Sequence, residues 1–285
     1  ELQAQVEQLR QEVDGLRAGQ AAGSQPGAAR PKPEAAAALA PRVLPFGYLQ
    51  SQFETGPASG TSRFLVRRAR LGLRGQLEQG FIYEVQVDAA ASTAILRNAF
   101  IDAAPWRDSR APAVRFGQFK LPYSLEAIEG STTLPVIARA LVVEQLAISH
   151  DRDTGIVLLS QANPQRPYGY QLSVTNGAGR NQFVSTRRKL FAGRVQINTP
   201  RDHPLLGGKL ALGLSTRQGR VTNLDLPAKQ GVEDERYGVD LDYLRPQWHL
   251  RGEYLWGRNQ ALKPHGYYGL GAYQLGPALQ LVARY

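Results

Sequence analysis

Between about residue 43 and residue 285, apolar and polar side chains alternate one by one in runs separated by turns rich in Gly, Pro and Asn. Residues 64–76 show the pattern best. Leu65, Ala69, Leu71 and Leu73 fall on one face, interrupted by Arg67, while Arg68, Arg70, Gly72, Arg74 and Gln76 fall on the other. Side chains of a strand alternate with period two, so one face suits an apolar environment and the other suits water. A soluble sandwich hides its apolar faces against each other, whereas a transmembrane barrel turns them to lipid and its polar faces to a wet lumen.

The alternation predicts strands near 43–53, 63–77, 80–89, 93–102, 112–120, 154–161, 167–176, 188–199, 207–217, 233–245, 247–257, 265–275 and 277–285. Their typical length of about nine to eleven residues suits a tilted strand crossing a bilayer. Short connections (Glu78-Gln79-Gly80, Pro246-Gln247) alternate with long ones (177–187, 218–232), which is the pattern of outer-membrane barrels. Tyr168, Tyr170, Tyr243, Trp248, Trp256, Tyr267 and Tyr268 gather near strand ends, as an interfacial girdle in a barrel or as ordinary core in a sandwich. The expected fold class is therefore all-β, an antiparallel transmembrane β-barrel over residues 43–285.

Three stretches break the pattern. Leu2, Val6, Leu9, Val13 and Leu16 are spaced four, three, four, three, a heptad seam with Gln, Glu and Arg elsewhere. Over residues 1–17 this predicts a coiled-coil segment that is stable only when several copies meet, with a surface amphipathic helix as the alternative. Residues 18–42 read as a Pro/Gly/Ala-rich linker. Within 121–150, Leu134, Ile137, Ala138, Leu141, Val142 and Gln145 recur at helical spacing. A helix is expected between about Thr133 and Glu144, in a loop folded into the lumen, because outside it would expose apolar surface to water.

Composition narrows the chemistry. The chain of 285 residues has no apolar run of the ~18 residues that a spanning helix needs, a requirement that barrels escape. It has no Cys, hence no disulfide, thiolate metal site or Cys nucleophile. It also has no Met, even at its first position, so the expectation is a start after a removed signal peptide. A formal charge of +10 points to an anionic partner. His150, His203, His249 and His265 lack metal spacing, and Gly177-Ala-Gly-Arg180 lacks the strand-to-helix setting of a phosphate loop. No cofactor, metal or catalytic residue is expected, and the spread of arginines along strands argues against nucleic acid as a partner.

Several runs resemble the phosphate-selective porin O and P family. They are Phe64-Leu-Val-Arg-Arg-Ala-Arg-Leu-Gly-Leu-Arg-Gly75, Arg115-Phe-Gly-Gln-Phe-Lys-Leu-Pro-Tyr-Ser-Leu-Glu126, Ser131-Thr-Thr-Leu-Pro135 with Arg139-Ala-Leu141, Arg152-Asp-Thr-Gly155, and Leu279-Gln-Leu-Val-Ala-Arg-Tyr285, in the same order. The resemblance implies a trimeric, 16-stranded outer-membrane barrel with an N-terminal periplasmic extension and a third loop folded inward at 121–150. The thirteen strands counted here are an odd number, whereas single-chain bacterial barrels have an even one. The expectation is that further strands follow Tyr285, with a miscount by one as the alternative.

If the apolar faces meet lipid, the lumen receives Arg68, Arg70, Arg74, Arg194, Lys209, Arg217, Arg251 and Arg284, along with Glu84, Asp88, Asp240, Asp242 and Glu253. Lys120, before the inward loop, and Arg139, within it, are constriction candidates by family analogy. Arg stays charged and presents a planar fork to phosphate or carboxylate oxygens. The expected function is an outer-membrane porin for small, preferentially anionic solutes. A nearly non-selective pore is the alternative if the charges only pair with one another. The rival reading is a structural anchor that uses the N-terminal segment to hold peptidoglycan or another envelope protein. Arg68, Arg70 and Arg74 are expected to project into water, and Arg67 to lie at a membrane edge or subunit contact.

Overall fold

The alternating runs form one antiparallel sheet of 13 strands in sequence order, each hydrogen-bonded to its neighbours in the chain. The computed structural model describes residues 42–285 except 56–61, 79, 91–92, 105–110, 161, 163–166, 183–187, 201–202, 204, 223–230 and 260–261. The seam residues Leu2, Val6, Leu9, Val13 and Leu16 lie outside the described residues, as does the linker before residue 42. The chain divides into two units, Glu1–Ala40 and Pro41–Tyr285, and the sheet belongs to the second.

The strands are β1 (Arg42–Glu54), β2 (Arg63–Glu78), β3 (Phe81–Asp88), β4 (Ile95–Ala103), β5 (Ala113–Lys120), β6 (Arg152–Ser160) and β7 (Tyr168–Thr175). They continue with β8 (Leu190–Asn198), β9 (Lys209–Thr222), β10 (Gly231–Leu244), β11 (Trp248–Arg258), β12 (His265–Gly276) and β13 (Leu279–Arg284). Each predicted run overlaps one of them, with ends that differ by up to five residues. At the end where β1 begins, the β2–β3 turn uses Gly80 at φ 92, a conformation open to Gly because it lacks Cβ. The 31 residues between β5 and β6 leave from the opposite end, and they hold helix α1 (Leu125–Ile128), helix α2 (Leu141–Leu146) and a 3-10 turn at Ile148–His150. No helix of the described residues is long and apolar enough to cross a membrane; the crossing elements are strands.

Burial is inverted relative to a water-soluble protein. Leu71 and Phe116 are 65% and 62% exposed, and Leu49, Ile197 and Leu214 join them on the outer face. Arg217 and Asp234 are 1% and 2% exposed, with Arg68, Arg70, Arg194, Arg251 and Glu253 also buried on the inner face. Apolar surface of this extent is stable only against hydrocarbon or another protein. Leu71→Arg is accordingly expected to lower stability in lipid by about 2–4 kcal/mol if the residue lies near the bilayer midplane, read as an earlier denaturant midpoint for refolding into vesicles.

Several details depart from expectation. Gln50 pairs with Arg68 and Ser51 with Val66, so Arg67 is the extra residue of a β-bulge. The bulge shifts the alternation by one. Phe64 and Val66, not Leu65, continue the exposed face, and Phe64 packs its ring 4.8 Å from Phe53. The Arg67 guanidinium lies 3.8 Å from Glu144 of α2. Arg68 and Arg70 are buried and bonded rather than projecting into water. The predicted helix between Thr133 and Glu144 is formed only from Leu141 onward, since the Ile137 and Ala138 carbonyls that a helix would use are taken by Arg68 and Arg284. Tyr268 is buried against the inward segment instead of lying in a girdle.

Candidate functional site

The segment 121–151 divides the inner space unequally, because one of its sides is apolar and the other polar. Its apolar side (Tyr123, Ala127, Val143, Leu146) packs on Leu255 of β11 and Leu270 and Ala272 of β12. This burial removes from water the apolar groups that interrupt the polar inner wall, and it presses the segment to that side.

Hydrogen bonds fix the segment in place. The N-terminal N–H groups of α1, on Leu125 and Glu126, donate to the two oxygens of the Glu253 carboxylate at 3.2 and 3.3 Å, a favourable place for an anion at a helix start. Ser124 Oγ accepts from Ala127 N at 3.3 Å. At the other end, Lys120 Nζ donates to the carbonyls of Ala127 and Ile128 at 3.0 and 3.1 Å, and Arg139 to that of Glu126 at 3.0 Å. The carbonyls that a helix end leaves unpaired are thus capped by cations. Arg251 bonds Glu129 and, at 2.9 Å, Asp242. Arg68 donates to Ile137 O at 3.1 Å and to Gln50 at 2.7 Å, and Arg284 donates to Ala138 O at 2.7 Å. Successive carbonyls are therefore held by arginines from β2 and β13. Burial pushes the Glu126 carboxyl up, against the pull of the Ala140 N–H and Arg284. Burial alone would raise Asp151 too, but Arg152, Arg97 and Arg180 hold it below the usual carboxylate range.

Opposite the packed side, a cavity of ≈ 590 Å³ remains between the segment and the inner face of β1–β7. Arg70, Arg74, Arg115, Lys120 and Arg152 line it, with Glu84 the acidic residue among its lining groups. The acids that neutralise these cations stand behind the lining. Arg70 Nε bonds Asp88 at 2.9 Å, Arg115 Nε bonds Asp102 at 2.6 Å, and Arg152 bonds Asp151. Arg74 is exposed to the cavity, lies 4.2 Å over the Phe46 ring, and has no ion pair among the described residues. An anion entering this space meets guanidinium faces already oriented by their partners, which is the arrangement that carboxylate and phosphate oxygens fit.

The residues singled out in the sequence separate into three groups. Arg70, Arg74 and Lys120 line this cavity, Arg194 and Lys209 line a smaller one, and Arg68, Arg139 and Arg251 hold the segment. Arg115 and Arg152 were missed as lining groups, although both stand inside the runs that carry the family resemblance. The available signal was the period-two placement of Arg115 opposite Phe116.

A model of the family described as phosphate-selective porin O and P matches residues 48–198. No curated protein sequence matches the chain. Among solved structures, a loop L8 deletion mutant of OmpT, an outer membrane protein of Vibrio cholerae, is similar at TM-score 0.60 and 12% identity, over 86% of this chain and 80% of that one. An anion-selective porin from Comamonas acidovorans is similar at TM-score 0.60 and 14% identity, over 86% and 78%. Salmonella typhi OmpF in complex with daunomycin is similar at TM-score 0.57 and 12% identity, over 85% and 77%. At these identities the likeness establishes the fold, that of outer-membrane porin barrels.

Proposed function

This chain belongs to the phosphate-selective porin O and P family, and from that premise we propose that it is an outer-membrane porin passing small anions along the β1–β7 wall. The observation that carries the reading is the cavity lining, with five cationic groups against one carboxylate. The family's description and the anion-selective porin of similar fold support it. Asp88, Asp102 and Asp151 offset three of the lining arginines, but they stand behind the wall and orient it, so the potential a solute feels is set by the lining. Binding there is strong enough to admit an anion and, with the guanidinium groups already paired, weak enough to release it. Phosphate itself is not singled out by this lining.

The turns at the β1 end include the short ones at 245–247 and 277–278, which supports a periplasmic position for that end; the proposal puts the segment preceding β1 in the periplasm as well. The reading includes a homotrimer, the assembly that the family resemblance implies. The heptad residues would then gather three copies, and a peptidoglycan or envelope partner would meet the protein there.

Ion substitution in planar bilayers tests the reading. Replacing K⁺ by a bulky organic cation is expected to leave most of the single-channel conductance, whereas replacing Cl⁻ by a bulky sulfonate should remove most of it. The reverse order would make the pore cation-conducting. No conductance in either salt would favour the anchor.

A further inference from the structure

A second cavity, of ≈ 260 Å³, lies on the inner face at the end where β1 begins, lined by Ser160, Gln171, Arg194, Gln196, Asn198 and Lys209 among others. Gln171 also lines the larger cavity, so a solute leaving the basic wall meets this site next. Its chemistry differs. Arg194 is spent on Asp240, bonding one carboxylate oxygen at 2.8 Å and also the other. Gln196 donates to Asn198 at 2.7 Å. Ser160 Oγ is buried, in a residue only 4% exposed, with no hydrogen-bond partner. A buried hydroxyl is ordinarily paired, and an orphan beside a cavity points to a partner that arrives from outside. Neither the Lys209 ammonium nor the Gln171 amide has a hydrogen bond or ion pair among the described residues.

We propose that this cavity is a station for small hydroxylated carboxylates of the sugar-acid class, an inference that rests on the anion-conducting reading above and specifies its solutes. Lys209 supplies one ammonium for one carboxylate. Amides and hydroxyls both donate and accept, which matches the alcohol groups of a polyol chain. Inorganic phosphate is served less well, because it offers no alcohol chain to the amides and hydroxyls, and one unpaired cation would face a group that is in part dianionic. The volume is just below the ~300 Å³ at which ligand pockets usually begin, which fits a solute of few carbons.

The test uses the full chain in planar bilayers carrying chloride current, with gluconate, hexanoate or inorganic phosphate added as blocker. Gluconate and hexanoate share a carbon count and a carboxylate and differ in hydroxyls. Gluconate is expected to half-block at a concentration about five- to tenfold lower than hexanoate, and below phosphate, a difference of about one kcal/mol or slightly more. Lys209→Gln should weaken block by gluconate several-fold, and Gln171→Leu should erase the gluconate-over-hexanoate difference. Equal block by gluconate and hexanoate in wild type, with anion preference intact, overturns the station and leaves the pore. Tighter block by phosphate than by gluconate also overturns it. Absence of anion preference in the same channels overturns both.

Discussion

Replacing residues 125–147 by a short Gly/Ser connection is expected to raise single-channel conductance several-fold. The segment occupies the β10–β12 side of the inner space and narrows the water path to the cavity along β1–β7. Its removal exposes Leu255, Leu270 and Ala272 to water and leaves Glu253 without the α1 N–H groups, so stability should fall as conductance rises. Glu253→Gln separates the two effects. It keeps the shape of the side chain but withdraws the anion from the helix start, an effect of about 0.3–1 kcal/mol at exposed sites and up to ~2 when partly buried. This variant should keep the wild-type open conductance and add brief transitions to a larger level as the segment loosens. Unchanged conductance in the deletion would mean that the pore is set elsewhere.

The largest expected change in selectivity comes from Arg74→Glu. Arg74 is exposed to the cavity, pairs in register with Glu84 of β3, and has no carboxylate partner among the described residues. A glutamate there turns one unpaired positive lining charge into a second negative one beside Glu84. Anion preference should fall several-fold or invert at low salt, and the change should shrink in 1 M salt, where screening acts over ~3 Å. Arg68→Gln is the informative contrast. Arg68 holds Ile137 O and Gln50 and does not line the cavity, so its loss should loosen the segment with little effect on selectivity. Equal shifts in the two variants would mean that net lumen charge, not the lining, governs the preference.

The strands were legible because period-two alternation is local: each residue reports its own face, as Leu71 and Arg70 do. The bulge at Arg67 was not. Its place is fixed by the pairing of Gln50 and Ser51 across β1, and no pattern within β2 marks the extra residue except the Arg-Arg pair itself. The inward segment was legible as an anomaly, but its helix was placed too early. The spacing from Leu134 to Val142 suits a helix, while the capture of the Ile137 and Ala138 carbonyls by Arg68 and Arg284 keeps residues 135–138 in bends.

The site was the least legible part. Arg68, Arg70 and Arg74 look equivalent along the strand, yet one holds the segment, one is oriented by Asp88 in the wall, and one stands exposed over Phe46. What separates them is which carboxylate or carbonyl lies within reach, set by strands and loops up to 69 residues away. Lys120 shows the same point. Its place just before the inward loop was readable, but its role as a cap on α1 depends on where the chain turns back.

The reversal potential of the wild-type channel across a tenfold KCl gradient tests the central claim most directly. A lining of five cations against one carboxylate predicts a potential of the sign that marks chloride as the more permeant ion, largest at low absolute salt and declining as both baths are raised towards 1 M. A potential of zero at low salt, or one of the sign that marks potassium, would contradict the account.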